Sequence, residues 1–350
     1  MTAVRFGIFD HLERRADVPL AQQYEERLQF LEQADRAGVD GYHVAEHHHS
    51  PLCLAPNQVV YLSAVAQRTR RIRLGSLVHV LPLHHPIRLI EEICMLDQLS
   101  GGRVDVGVGA GTGGGTEFAM WGGDAAENAA RFRETLDILR RGLCTDFLSF
   151  EGEYFRFEDV WMELRPLQQP HPPFWYAGNA ERAAELGMHF IGAGRIDRLP
   201  ELRARFDAIW TRELESGSDA HAAAGAPWFG TMKHTFIAET DEEAVARAHT
   251  AYAAYGTHFA KPLPPGEMPT AWQPPERTGR APGEAPFDRY LGGEALIAGS
   301  PRTVREYVER WVERSECNYW VSSFQWGDLT HDEASRSLAI FADEVMPAVR

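Results

Sequence analysis

Residues 4–45 read VRFGIFDHLERRADVPLAQQYEERLQFLEQADRAGVDGYHVA. The run at 4–9 is β-rich. Residues 20–37 place Leu28, Leu31 and Ala34 at helical spacing, and Gly38 supplies the stop. A second β-rich run follows at 41–45. Strand, helix and strand in that order make a βαβ unit, which belongs to a parallel sheet.

The same rhythm continues outward. Pro56 opens a helix to Arg68, 72–80 is a third strand, and Pro86 opens a helix to Leu99 that Gly101-Gly102 ends. A fourth strand at 103–109 leads through a glycine-rich loop to a helix at 125–143. From 147 to 173 aromatic alternation and then prolines predict a hairpin-like excursion, after which strands are expected at 174–177, 189–193, 231–238 and 319–324. Eight strands with helices between them predict an α/β fold, a single (β/α)8 TIM barrel over residues 1–350, with insertions after strand four and before strand eight. Residues 261–286 hold eight of the chain's 21 prolines and no hydrophobic period. They are expected to form a mobile lid, reaching to about residue 290, at the barrel mouth.

The chain has 350 residues, 44% hydrophobic and 24% charged, enough for a large core. Its formal net charge of −15, with acidic residues spread along the chain, speaks against nucleic acid as a partner. Cys53, Cys94, Cys144 and Cys317 are far apart, without zinc spacing, and read as buried thiols in a reducing compartment. No window approaches the ~18 apolar residues of a membrane span, and the first residues become charged before a signal-length run forms. A cytoplasmic protein with no membrane association is expected.

In a barrel, the segments after the strands line the face that carries chemistry. Ala45-Glu46-His47-His48-His49 follows strand two and suits a metal site, an acid/base pair or a polar loop. Consecutive residues seldom converge on one ion, so a metal would need ligands such as His79, His84 and His85 after strand three. That arrangement would suit a metal-dependent barrel hydrolase; packing and capping at the start of the next helix is the alternative for His84 and His85. Six glycines between Gly107 and Gly115, Gly109 and Gly111 among them, let backbone approach a flat or phosphorylated ligand. Glu117 after them is a site residue or a surface charge. Strand five ends in Tyr176-Ala177-Gly178-Asn179-Ala180-Glu181-Arg182, where Asn179 as N-cap and Arg182 in the first turn make either an anion site or a cap beside a surface ion pair.

AEHHHS after strand two, LHHPIRLIEEICMLDQLSGGRVDVGVGAG across strands three and four, and the YAGN turn resemble the bacterial luciferase alpha subunit and its flavin monooxygenase relatives. The resemblance is densest over 4–144, and LDQLSGGR is its most specific part. It implies a barrel that takes reduced FMN from a separate flavin reductase and reacts it with O2 through a flavin 4a-hydroperoxide to oxygenate a small organic substrate. By position, His47 matches the family's catalytic histidine, Glu46 its neighbour, and Glu117 an acidic residue beside the flavin. Ala177, Gly178, Asn179 and Arg182 fall on the phosphate turn, and Leu77-Val78 on a non-prolyl cis peptide under the flavin ring. No metal is implied. Gly109 and Ala110 stand where luciferase itself has cysteine and arginine, which argues against light emission. A deazaflavin-dependent dehydrogenase shares the barrel, but Glu46-His47-His48 favours FMN; a non-catalytic flavin-binding subunit is the other relative. Apolar residues on several faces of the helices at 56–68 and 86–99 (Val59, Val60, Leu62; Ile90, Ile93, Leu96) fit a homodimer interface like the family's.

Overall fold

Strand residues that alternate inward and outward in most sheets are here almost all buried, Phe6 to Asp10 and Gly41 to Val44 without a break. Such strands have helices on one face and a filled barrel on the other. The computed structural model describes residues 4–111, 116–259 and 286–350. Its strands are β1 (Arg5–Asp10), β2 (Gly41–Val44), β3 (Arg73–Val80), β4 (Val104–Gly109), β5 (Phe147–Glu151), β6 (Arg156–Trp161), β7 (Phe174–Ala177), β8 (His189–Gly192), β9 (Phe229–Ile237), β10 (Leu296–Gly299) and β11 (Tyr319–Ser323). Eight of them, β1-β2-β3-β4-β7-β8-β9-β11, close into a ring of parallel pairings, the barrel expected from the sequence. β5 and β6 form the antiparallel hairpin expected after strand four.

One strand was not anticipated. β10 lies outside the ring because β9 is long: Phe229 to Thr231 pair with β8, whereas His234 to Ile237 extend past the barrel and pair with β10. Four apolar residues between a turn and the Ser300-capped helix Pro301–Ser315 carry too little period to announce a strand. Other boundaries shift by a residue or two. The helix foreseen from Pro56 begins at Gln58, capped by Asn57, and the one foreseen from Ala125 begins at Asn128 after a single tight turn. A short helix, Thr116–Met120, follows the glycine loop.

The motif that looked most specific, LDQLSGGR, is architectural. Buried Asp97 accepts from the Gln168 backbone N–H at 2.9 Å and its side-chain amide at 2.8 Å. Arg103 donates to the carbonyls of Ala66, Ile72 and Ser100 and to Thr69 Oγ1, fastening the helices Gln58–Arg68 and Pro86–Ser100 to the start of β4. The barrel interior holds Trp175, Tyr319 and His43, with His43 Nε2 2.9 Å from Tyr319 Oη. Gly7 has to be glycine here: a Cβ would fall 2.0 Å from the Tyr319 hydroxyl.

Two further expectations change. Cys53, Cys94 and Cys317 are buried, but Cys144 is exposed at the end of a helix. Leu62, Ile90, Ile93 and Leu96 pack into the core rather than facing a partner, and the outward apolar residues of those helices are Val60, Met95 and Leu99. Most of the proline-rich lid segment lies outside the described residues; its tail does not remain irregular, since Phe287–Gly292 is helical. Among the described residues no helix is long and apolar enough to cross a membrane.

Candidate active site at the C-terminal mouth of the barrel

β2 ends at Val44 and delivers Glu46 inward, 4% exposed. A buried carboxylate needs donors. Glu46 Oε1 accepts from His48 Nε2 at 3.0 Å, and Oε2 from His84 Nε2 at 2.9 Å, Gln58 Nε2 at 3.1 Å and the Val80 N–H at 3.0 Å. Burial opposes the charge on Glu46, but the bonds from His48 and His84 outweigh it and hold the carboxyl well below the usual carboxylate range. Burial likewise opposes charge on His84, and the bond to Glu46 wins, raising its imidazole above the ordinary histidine value. His84 therefore serves neither as a helix cap nor as mere packing; it is a hydrogen-bond partner of a buried carboxylate. His85 makes no side-chain cap at the helix start.

The histidine run splits by direction. His48 is buried against Glu46, while His47 remains half-buried at the mouth with Nδ1 3.6 Å from Glu117 Oε1. Glu117 also accepts the His48 backbone N–H at 3.2 Å, so one carboxylate braces both ends of the His47-His48 step. The His47 ring lies 5.6 Å from that of His11, which follows β1.

β3 and β4 form a floor beside these groups. Leu77-Val78 is a cis peptide, and Gln58 Nε2 donates to the Val78 carbonyl at 3.1 Å as well as to Glu46. A Cβ on Gly109 would fall 2.6 Å from Val78 Cγ2, so this floor stays flat only with glycine there. Gly111 turns the chain away with φ +76°.

At the end of β7, Ala177, Gly178 and Asn179 are exposed. Asn179 caps the helix Ala180–Glu185 by accepting the Arg182 N–H at 2.9 Å, as its position predicted. The Arg182 guanidinium is turned to Glu185 Oε2 at 2.9 Å, on the surface. Beside this turn a hollow of about 310 Å³ opens between Ala193, Gly194, Arg198, Leu199 and Arg205, and Arg205 pairs with Glu181 at 3.0 Å.

The sequence brought His47, Glu46 and Glu117 to one place, and the structure joins them with Leu77, Val78, Gly109 and Gly111 along adjacent strands. It did not foresee Gln58 or the Val80 N–H, because nothing local marks a glutamine on a helix or a strand-end amide as a partner of Glu46. Glu46, His79 and His84 offer ligand atoms within 4.8 Å of one another, the arrangement a cation would need. Glu46 already holds four side-chain and backbone N–H groups, however, and a cation would have to displace the His84 proton.

Residues 4–315 match the family model of luciferase-like monooxygenases. The chain is 34% identical to the uncharacterized protein y4wF of Sinorhizobium fredii, over 98% of this chain and 97% of that one. It is 28% identical to the oxygenase component of the flavin-dependent trigonelline monooxygenase of Acinetobacter baylyi, over 70% and 68% of the two chains. The monooxygenase RslO1 of Streptomyces bottropensis superposes with a TM-score of 0.78 at 26% identity, over 98% of this chain and 99% of that one. By the family match and by a relative that is similar from end to end, this chain belongs to the luciferase-like monooxygenase family.

Proposed function

We propose that this chain is the oxygenase component of a two-component flavin monooxygenase, one domain that takes reduced FMN from a separate flavin reductase and uses O2 to oxygenate a small organic substrate. The observation that carries the reading is the pairing of a glycine-bearing strand floor with a braced histidine. Gly109 and Gly111 carry no side chain, which lets a flat ring approach the backbone beside the Leu77-Val78 cis peptide, and His47 is held by Glu117 on the neighbouring loop. The open turn at Gly178, where a Cβ would meet nothing within 4 Å, leaves room for a phosphate at Ala177, Gly178 and Asn179. Arg182 would exchange Glu185 for that phosphate at small cost, since an exposed ion pair contributes only about 0–1 kcal/mol.

FMN, when bound and reduced, supplies the two electrons that activate O2. The protein's own part is positioning and proton handling. Glu117 beside Nδ1 orients His47, leaving Nε2 to exchange a proton with the reacting molecule. Glu46 acts as a positioning residue, fixing the loop that carries His47 against β3.

Outward-facing Val60, Met95 and Leu99 suit pairing with a second copy, and the free thiols suit the cytoplasm. The deciding experiment is anaerobic titration with reduced FMN, oxidised FMN and a reduced deazaflavin. Tightest binding of reduced FMN is expected; preferential binding of the deazaflavin would replace the monooxygenase with a dehydrogenase.

A further inference from the structure

The helix Gln58–Arg68 begins with a polar residue that is 1% exposed. A buried amide needs acceptors for its N–H groups, and Gln58 Nε2 has two: Glu46 Oε2 at 3.1 Å and the Val78 carbonyl at 3.1 Å. A carboxylate and a carbonyl can only accept, so the atom between them must donate twice. The amide nitrogen of glutamine carries two protons and serves both at once. A glutamate in its place would offer one proton at most.

The pairing of β2 with β3 gives these two bonds their meaning. It runs from Gly41 with Arg73 to Val44 with Ser76 and ends there. Past Val44 the chain turns away, and the Ala45 carbonyl accepts from Cys53 Sγ at 3.5 Å. Continued in register for three more residues, the ladder would set His47 opposite His79. In a parallel pair, a residue donates its N–H to the carbonyl of the residue before its neighbour and accepts the N–H of the residue after it. His47 would therefore take the Val78 carbonyl and the Val80 N–H. Instead Gln58 donates to the first at 3.1 Å, and Glu46 Oε2 accepts the second at 3.0 Å. Two side chains that bond each other thus stand in for one residue's backbone, and β3 keeps its hydrogen bonds without holding His47.

We propose that Gln58 is a positioning residue: with Glu46 it replaces the backbone of His47 in the sheet, which releases His47 to the barrel mouth and to Glu117. His43 and Ala45 on the same segment point into the barrel, His43 against Tyr319 and Ala45 in the interior cluster. On an extended strand the side chain two residues further points the same way. Zipped onto β3, His47 would be drawn inward, away from solvent. Held off it, the ring is half-buried with Nδ1 3.6 Å from Glu117 Oε1. The catalytic consequence rests on the flavin reading, in which His47 handles the proton, whereas the positioning itself does not.

The test is the rate at which diethyl pyrocarbonate acylates each histidine of the full chain, read by tandem mass spectrometry of its peptides. Gln58→Met keeps the length of the side chain and removes both donors; Gln58→Glu keeps its shape and at neutral pH offers no second donor. In either variant His47 should react about threefold or more slowly than in wild type, as the zipped arrangement comes to dominate. The exposed His49 should react as before, and buried His48 should stay protected. Circular dichroism shows which variants fold, and one of the two suffices. An unchanged or faster His47, or a newly reactive His48, would overturn the proposal, because losing a merely structural bond loosens the loop instead of drawing it in. Reduced FMN added without O2 separates this from the flavin reading, since it should slow the reaction of His47 in wild type. An effect of Gln58→Met with no protection by reduced FMN would overturn the flavin reading alone, and protection with no effect of Gln58→Met would overturn the positioning alone.

Discussion

Glu46 Oε2 and His84 Nε2 lie 2.9 Å apart although 38 residues separate them, and this one contact ties the loop after β2 to the loop after β3. The same carboxylate holds Gln58 and the Val80 N–H, so helix, strand and two loops converge on a single buried charge.

Removing that charge should be costly. Glu46→Ala leaves the His84 imidazole, the Gln58 amide and the Val80 N–H without their acceptor, and a loss of about 3–5 kcal/mol is expected for breaking a buried pair. Denaturant unfolding of wild type and variant reads it directly. A loss below about 1 kcal/mol would show that water replaces the carboxylate.

The pair also sets a pH dependence. The Glu46 carboxyl is depressed in the fold, so its contribution is present above the unfolded carboxylate value of about 4.3 and is lost as pH falls below it. His84 is raised, so its contribution is complete below the unfolded value of about 6.5 and is lost as pH rises through the higher folded value. Wild type should therefore lose stability above pH ~6.5 relative to His84→Gln, whose curve lacks this slope. Parallel curves for the two proteins from pH 6 to 9 would place the proton elsewhere.

His47 is half-buried and touches Glu117 only at 3.6 Å, so His47→Ala should fold normally. Product formation should fall by about 10²–10⁴-fold, the usual contribution of a general acid or base, while oxygen consumption persists and peroxide accumulates. Product and peroxide measured in one reaction distinguish this from a binding defect. Glu117→Gln, which keeps the shape, should fall less.

Gly109→Ala drives a methyl into Val78 Cγ2, a contact of 2.6 Å before relaxation, and should destabilise by about 1–3 kcal/mol while weakening reduced FMN. Adding Val78→Ala removes the obstructing carbon. The double variant should recover most of the stability, and a cycle with no coupling energy would show that the floor moves elsewhere.

Arg182→Ala removes only an exposed pair with Glu185, so stability should stay within about 0.5 kcal/mol. FMN should weaken far more than riboflavin, because a guanidinium pairs with phosphate and riboflavin has none. Equal losses for both ligands would show that Arg182 stays with Glu185.

Much of this architecture was legible in the linear order of residues. Helix starts at Pro86 and Asn179 and helix stops at Gly38 and Gly101 are local chemistry, a fixed φ, a side-chain acceptor or a left-handed turn, and local chemistry survives in any context. Glycines at 107, 109 and 111 likewise announced a close approach of backbone, and His47 could be placed at the mouth because it follows a strand.

What the chain could not reveal alone were contacts between distant elements. β10 became visible only when β9 proved long enough to outrun the barrel. Arg182 pointed equally to an anion or to a neighbour, and the structure pairs it with Glu185 three residues on. His84 and Gln58 acquired meaning only through Glu46. Sequence thus determined the elements and their order, since backbone preferences are set within a few residues. Tertiary structure decided which buried groups share a charge and which lack a partner, because desolvation and hydrogen bonding depend on what packs around an atom, and that is assembled from residues hundreds of positions apart.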